Sequence, residues 1–315
     1  MEVCRSPEQF NVTAYGATAV AIITLETFAG LWINAFMFSV ICMSWIKRKT
    51  LNSNEKILLV LGCSRFWVLC FSWVYSFLSI IYPDYFFVPP TYTLTVSIQN
   101  FFECSNLWVS ACLCVFYCIK IANFRNSFFI YLKVKIDRMV PWLLLGSVLF
   151  SLVIGILVYD FTHKPHCNNS TSEGNFSKVS IRMEEHFLSI FLIYGFEFVT
   201  SFTAVIFSAL LLLFSLWRHK RNMQTNSMMN LSMDAHIKAM KSILSFFIMY
   251  SINFISLILN MVYTTEDGSP VIFLIYVLLY TFTVVHSLIL IFSNSKLEKS
   301  MLRILGCVKC KFCMR

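Results

Sequence analysis

Seven long apolar runs, at about 14–45, 57–81, 96–119, 140–161, 187–217, 242–263 and 271–293, decide what this 315-residue chain can fold into. A helix that crosses a bilayer needs about 20 apolar residues, and every run reaches that length. Backbone amides find no water inside a membrane, so only helices or closed barrels cross it. The runs lack the two-residue alternation of barrel strands. The expected class is therefore an all-α membrane protein, a seven-transmembrane helix bundle forming one domain over 1–315. Composition agrees: 58% of residues are hydrophobic and 13% charged, against about 45–50% and about 25% in soluble domains. A soluble enzyme, a disordered chain and a secreted disulfide scaffold are excluded. The first run is too long for a signal-peptide core and is read as a retained helix.

Orientation follows from the basic residues, which collect on cytoplasmic loops. Segments 46–56, 120–139, 218–241 and 294–315 hold 20 of the 25 Lys and Arg residues and only 4 acids. That side is predicted cytoplasmic and attracted to anionic lipid. The amino terminus is predicted extracellular, the carboxyl terminus cytoplasmic and the location the plasma membrane. The sequons at Asn168, Asn169 and Asn175 crowd into the loop after span four, on the predicted outer side, and Asn11 stands in the outer amino-terminal segment. Most of the 12 cysteines lie in apolar runs as small hydrophobes. Cys307, Cys310 and Cys313 stand in the basic tail, a setting for reversible acylation more than for metal. No HExxH, GxSxG, P-loop or zinc-spaced set occurs, so neither catalysis nor a cofactor nor a metal is expected.

Ionisable side chains inside spans are costly and mark function by default. Glu26, Gly30 and Asn34 share one face of span one at i, i+4, i+8. At 1.5 Å per residue, Asn34, Arg65 and His286 lie roughly 16, 12 and 10 Å from the inner ends of their spans. They are expected at one depth, with Ser287 beside them. This group reads as interhelical glue, as a switch network, or as both. Nearer the outside, Glu103 and Tyr276 come at roughly 9 Å, Trp108, Glu197, Asn253 and Tyr280 at roughly 15 Å, and Tyr250 near 20 Å. Trp108 and Cys112 share a face at i, i+4. Aromatic walls carrying a few polar groups suit a small amphipathic ligand. The expected ligand residues are Trp108, Cys112, Glu103, Tyr250, Asn253 and Tyr276. A small channel or transporter is the competing class, although no internal repeat divides the spans into equal halves.

The stretch FYCIKIANFRNSFFIYLKVK, 116–135, resembles the FYxxKIANFSNxxFLxLK signature of type 2 (bitter) taste receptors, a family of seven-helix G-protein-coupled receptors. Other matches keep order: Glu26, Gly30 and Asn34; Trp45-Ile46-Lys47 through Ser64-Arg65; Trp108; SLWRHKRNM at 215–223; AHIKAMKSILSFF at 235–247; and HSLILIFSNSKL at 286–297. Together they cover about residues 20–300. Two prolines frequent in the family are replaced, one near Ser201 and one near Thr283 and Val284. Rhodopsin-type DRY and NPxxY motifs do not occur. The resemblance implies a receptor for bitter small-molecule agonists that signals through a gustducin-type heterotrimeric G protein. It also implies a G-protein face at Lys120, Asn123, Arg125, His219, His236 and Lys238. A pheromone-type seven-helix receptor is the nearer alternative.

Overall fold

The computed structural model describes residues 7–86, 90–122, 124, 126–163, 176–224, 244–245, 247–256, 258–259 and 270–313. Among them the chain is helical throughout: α1 (Pro7–Arg48), α2 (Ser53–Ile81), the single turn α3 (Pro83–Phe86), α4 (Thr91–Ile121), α5 (Ser127–His163), α6 (Phe176–Gln224), α7 (Phe247–Ser256), α8 (Pro270–Ser293) and α9 (Ser295–Cys313). Among the described residues six stretches are long and apolar enough to cross a membrane: Ala17–Arg48, Ser53–Ile81, Thr91–Ile121, Ser127–Thr162, Gly195–Arg218 and Leu274–Ser293. The sixth predicted run, 242–263, is described only in part, as α7 and four flanking residues.

The helices end where local chemistry ends them. Lys49 takes the left-handed conformation at φ 55° and donates its N–H to the Trp45 carbonyl, which closes α1. Three residues on, Asn52 opens α2 together with Glu55, the Glu55 carboxylate accepting the Asn52 N–H at 3.1 Å. Pro270 begins α8, where its missing N–H costs nothing.

Helix extends beyond the apolar runs in two places. Segment 120–139 separates the third and fourth runs in the sequence, yet α5 already begins at Ser127. Its first three turns are helix outside the apolar run, which hydropathy alone cannot mark. Likewise the tail after residue 293 is largely the helix α9.

Helix α4 is the central post, packing against α5, α2 and α6, while α1 packs on α2 and α8, and α9 on α8 and α1. One continuous core joins α1, α2, α4, α5, α8 and α9 through Met37, Ile41, Ile57, Leu61, Leu113, Ile136, Ile291 and Leu297. By contrast Leu25, Phe28 and Trp32 on α1 and Trp142 on α5 are exposed, as lipid-facing residues of a membrane bundle are.

Pro141 lies within α5 and cannot donate to the carbonyl four residues earlier, that of Asp137. The Ser53 hydroxyl, at the start of α2, donates to that freed carbonyl at 3.5 Å. The Asp137 carboxylate also accepts Lys120 Nζ at 2.6 Å. One residue thus ties α2, α4 and α5 together at the basic end of the bundle.

Candidate functional site

At mid-bundle the guanidinium of Arg65 on α2 is fully buried at 0% exposure. Its Nε donates to Asn106 Oδ1 at 3.0 Å, Nη1 to Ser287 Oγ at 2.9 Å and Nη2 to Ser110 Oγ at 3.5 Å. Nη2 also meets His286 Nδ1, which in that pair is the acceptor. Ser287 passes the chain on to Asn34 Oδ1 at 2.9 Å, and Asn34 Nδ2 donates to the Gly30 carbonyl at 2.8 Å. Four helices, α1, α2, α4 and α8, therefore meet at one cation. Among the described residues no carboxylate bonds Arg65, so neutral oxygens and an imidazole carry its solvation.

Close helix approach makes this possible. A Cβ on Gly30 would sit 2.7 Å from Leu69 Cδ1 and 3.0 Å from Val284 Cγ2, so glycine is what lets α1 seat against α2 and α8 together. Glu26, one turn away, stands apart from the knot: its Oε1 accepts Thr281 Oγ1 at 3.0 Å. Asn106 and Ser110 escaped the reading of the sequence, although their i, i+4 spacing on α4 marks a polar face.

The residues expected to bind ligand fall into three neighbouring groups. Trp108 packs with Cys104, Ile154, Val158 and Ile193, its ring edge-on to Phe150 at 5.4 Å, and its buried indole N–H meets no acceptor among the described residues. One turn further, Cys112 Sγ lies 3.4 Å from Ser147 Oγ, so this face of α4 looks toward α5. Tyr250 on α7 is buried among Leu107, Ala111, Val205 and Phe282. Its ring is stacked with Phe202 at 6.2 Å and edge-on to Phe282 at 6.0 Å. Asn253, one turn along α7, is buried as well. Tyr276 joins Ile23, Leu69, Trp73 and Tyr280 between α1, α2 and α8. Glu103 accepts Gln99 Nε2 at 2.9 Å, and that amide also reaches Ser72 on α2 at 3.3 Å. Glu103 interacts electrostatically with Tyr276, Tyr280 and Glu197. Gln99, Ser72 and Phe150 were not singled out from the sequence, because long-range partners leave no mark in spacing.

Aromatic contacts link the Tyr250 group to the knot. Phe202 stacks on Tyr250, Tyr250 meets Phe282, and Phe282 lies 5.3 Å from the His286 ring, which bonds Arg65.

Of the expected G-protein face, Lys120 is bound to Asp137 at the end of α4. His219 lies in α6. Asn123, Arg125, His236 and Lys238 lie outside the described residues, as do the sequons at Asn168, Asn169 and Asn175. Asn11 falls within α1, which starts before the predicted run.

A polar knot crossing four membrane helices, under an aromatic layer and above a basic end, suits a signalling bundle. Comparisons with known proteins lead to the same place. The family described as Taste receptor protein (TAS2R) matches residues 12–309. Human taste receptor type 2 member 2 is 31% identical over 299 residues, covering 93% of this chain and 96% of that protein. Human taste receptor type 2 member 9 is 29% identical over 306 residues, with 95% and 96% covered. The rhesus macaque (Macaca mulatta) taste receptor type 2 member 7 is 30% identical over 293 residues, with 90% and 91% covered. A match over nearly the whole length means that this multi-pass membrane protein belongs to the TAS2R family of bitter taste receptors.

Proposed function

We propose that this receptor binds a small, partly apolar agonist in the outer half of the bundle, and that the agonist acts on a heterotrimeric G protein at the basic end. The amino terminus is then extracellular and the carboxyl terminus cytosolic. The binding residues are Trp108, Cys112, Glu103, Tyr250, Asn253 and Tyr276, with Gln99 orienting Glu103. The G-protein face comprises Lys120, Asn123, Arg125, His219, His236 and Lys238.

One observation carries the reading: the unbroken series Phe202, Tyr250, Phe282, His286, Arg65 runs from the aromatic layer into the knot. Packed rings shift by discrete steps, because close-packed interiors resist smooth deformation. An agonist that favours one placement of Tyr250 biases Phe282, then His286, and so the set of acceptors around Arg65. It shifts the equilibrium only by its difference in affinity for the two placements. Arg65 suits such a switch because neutral acceptors, unlike a carboxylate, hold it without one dominant partner.

The test starts from a calcium-response screen of bitter compounds in cells carrying a chimeric G protein, followed by Phe282→Ala. If the series relays the signal, agonist binding stays within about threefold of wild type while maximal response falls by more than half. A variant that loses affinity and keeps full response overturns the relay. Epitope tags on the two ends of intact cells test the topology: both ends on one side removes it.

A further inference from the structure

Acidic side chains in the half of the bundle away from the basic end have no basic side chain to meet. Within the six spans no Lys or Arg stands farther from the basic end than Arg65, and Arg65 is committed to Asn106, Ser110, Ser287 and His286. Beyond it stand Glu103 on α4 and Glu197 on α6, which interact electrostatically. Glu103 accepts the Gln99 amide, and Glu197, 2% exposed, meets the Cys104 thiol. Neither forms an ion pair among the described residues. Burying a charge is costly unless it is paired.

Two acids alone would be satisfied by sharing a proton, but a third group joins them. Asn253 on α7 is 8% exposed, and its side-chain amide bonds no described residue, although buried amides as a rule have partners. Helical register places it beside the acids. Leu107, Val205, Tyr250 and Phe282 pack together where α4, α6, α7 and α8 meet. One turn farther from the basic end, α4 carries Glu103, four residues before Leu107, and α7 carries Asn253, three residues after Tyr250 on the same face. On α6, Glu197, Ser201 and Val205 run i, i+4, i+8 along one face. Glu197 reaches the level of Glu103 through Cys104, the next residue of α4. Tyr276 on α8 also interacts with Glu103. The three side chains carry more acceptor oxygens than the one amide and one thiol that reach them.

We propose that the agonist site is selective for a primary ammonium on an apolar body, its N–H groups donating to Glu103, Glu197 and Asn253 while the ring of Tyr276 lies against it. The inference deepens the agonist reading above and rests on it. A primary ammonium has three donors and no acceptor, which suits three acceptors arriving from three helices. Its bonds to carboxylates are roughly twice as strong as neutral ones, and an aromatic face attracts a cation. A quaternary ammonium brings the charge without the N–H groups, and an acetylated amine loses the charge.

The test uses cells carrying the receptor and a chimeric G protein, read by calcium response against cells without receptor. The probes are 2-phenylethylamine, tryptamine and 1-adamantanamine, each beside its N-acetyl and N,N,N-trimethylammonium derivatives. At least one amine should activate at concentrations about tenfold or more below both derivatives. E103Q and E197Q should each reduce its potency relative to the N-acetyl form by about tenfold, as loss of a charge-assisted bond does. N253A should narrow the gap between amine and trimethylammonium, and N253D, which adds a carboxylate, should widen the gap between amine and N-acetyl form. Ratios taken within one variant do not depend on how much receptor reaches the surface, and N253D predicts a gain that misfolding does not produce. Three results overturn the proposal and leave the agonist reading intact: no amine activates a receptor that answers other bitter compounds, a derivative matches its amine, or the ratios hold in both E103Q and E197Q. A receptor displayed at the surface yet silent to every bitter compound removes the agonist reading, and this proposal with it.

Discussion

Ser287→Ala is the sharpest test of the knot. The Ser287 hydroxyl accepts Arg65 Nη1 and donates to Asn34 Oδ1, both at 2.9 Å, in a site of 0% exposure. The hydroxyl also lies 2.9 Å from the Thr283 carbonyl, but that oxygen accepts a helical N–H whichever way the hydroxyl turns. Removing one oxygen therefore cuts two interhelical bonds and strands a guanidinium N–H and an amide oxygen in a dry interior. Interhelical bonds in membranes average about 0.6 kcal/mol and reach about 1.7. Two of them together give a loss of about 1–3 kcal/mol. At about 2–4 °C per kcal/mol for a chain of this order, thermal unfolding in detergent at fixed scan rate should drop by roughly 5 °C. Ser97→Ala is the control. Its hydroxyl bonds only the Thr93 carbonyl one turn back in α4, at 2.7 Å, and its loss should move the midpoint by less than about 1 °C, as a change that strands no buried partner does. Asn34→Leu should lose most of its own cost in the Ser287→Ala background, because the two residues share one bond. An S287A midpoint equal to that of S97A, or strict additivity with N34L, refutes the account.

Other perturbations follow from the same contacts. Gly30→Val should lower the unfolding midpoint by more than Gly30→Ala, since alanine recovers about 1 kcal/mol of helix propensity against an overpacking cost of about 1–3 kcal/mol, and valine recovers less while adding bulk near Leu69. Differential scanning fluorimetry of the pair checks the order. Glu55→Gln leaves Arg48 and Lys296 without their shared carboxylate. It should destabilise more than Asp137→Asn, whose ion pair with Lys120 is half-exposed and belongs to a class worth about 0–1 kcal/mol. Trp108→Ala removes the ring against Phe150 and should shift the dose–response curve of at least some agonists, whereas unchanged curves for every hit take Trp108 out of the site.

Much of the bundle was legible because a bilayer punishes polar backbone so heavily that spans appear as long apolar runs. Glycine and the polar residues of span one were legible for a related reason: in an apolar helix a rare Glu26, Gly30 or Asn34 stands out. The early start of α5 and the whole of α9 were not, because amphipathic turns beyond a span look like loop to a hydropathy scale. Ser53 was equally invisible. Its role at the Asp137 carbonyl exists only because Pro141 withholds an N–H from another helix.

Sequence alone determined the all-helical membrane class, the charge asymmetry, and the candidacy of Arg65, Asn34 and His286, since these depend on residue type and the regular rise of a helix. Tertiary structure decided who answers Arg65: Asn106, Ser110 and Ser287 rather than the nearby Glu26, which turns to Thr281. Helical rise sets depth, but the rotation of each helix about its axis sets which side chains meet. That rotation comes from packing around sites such as Gly30, between residues far apart in the chain.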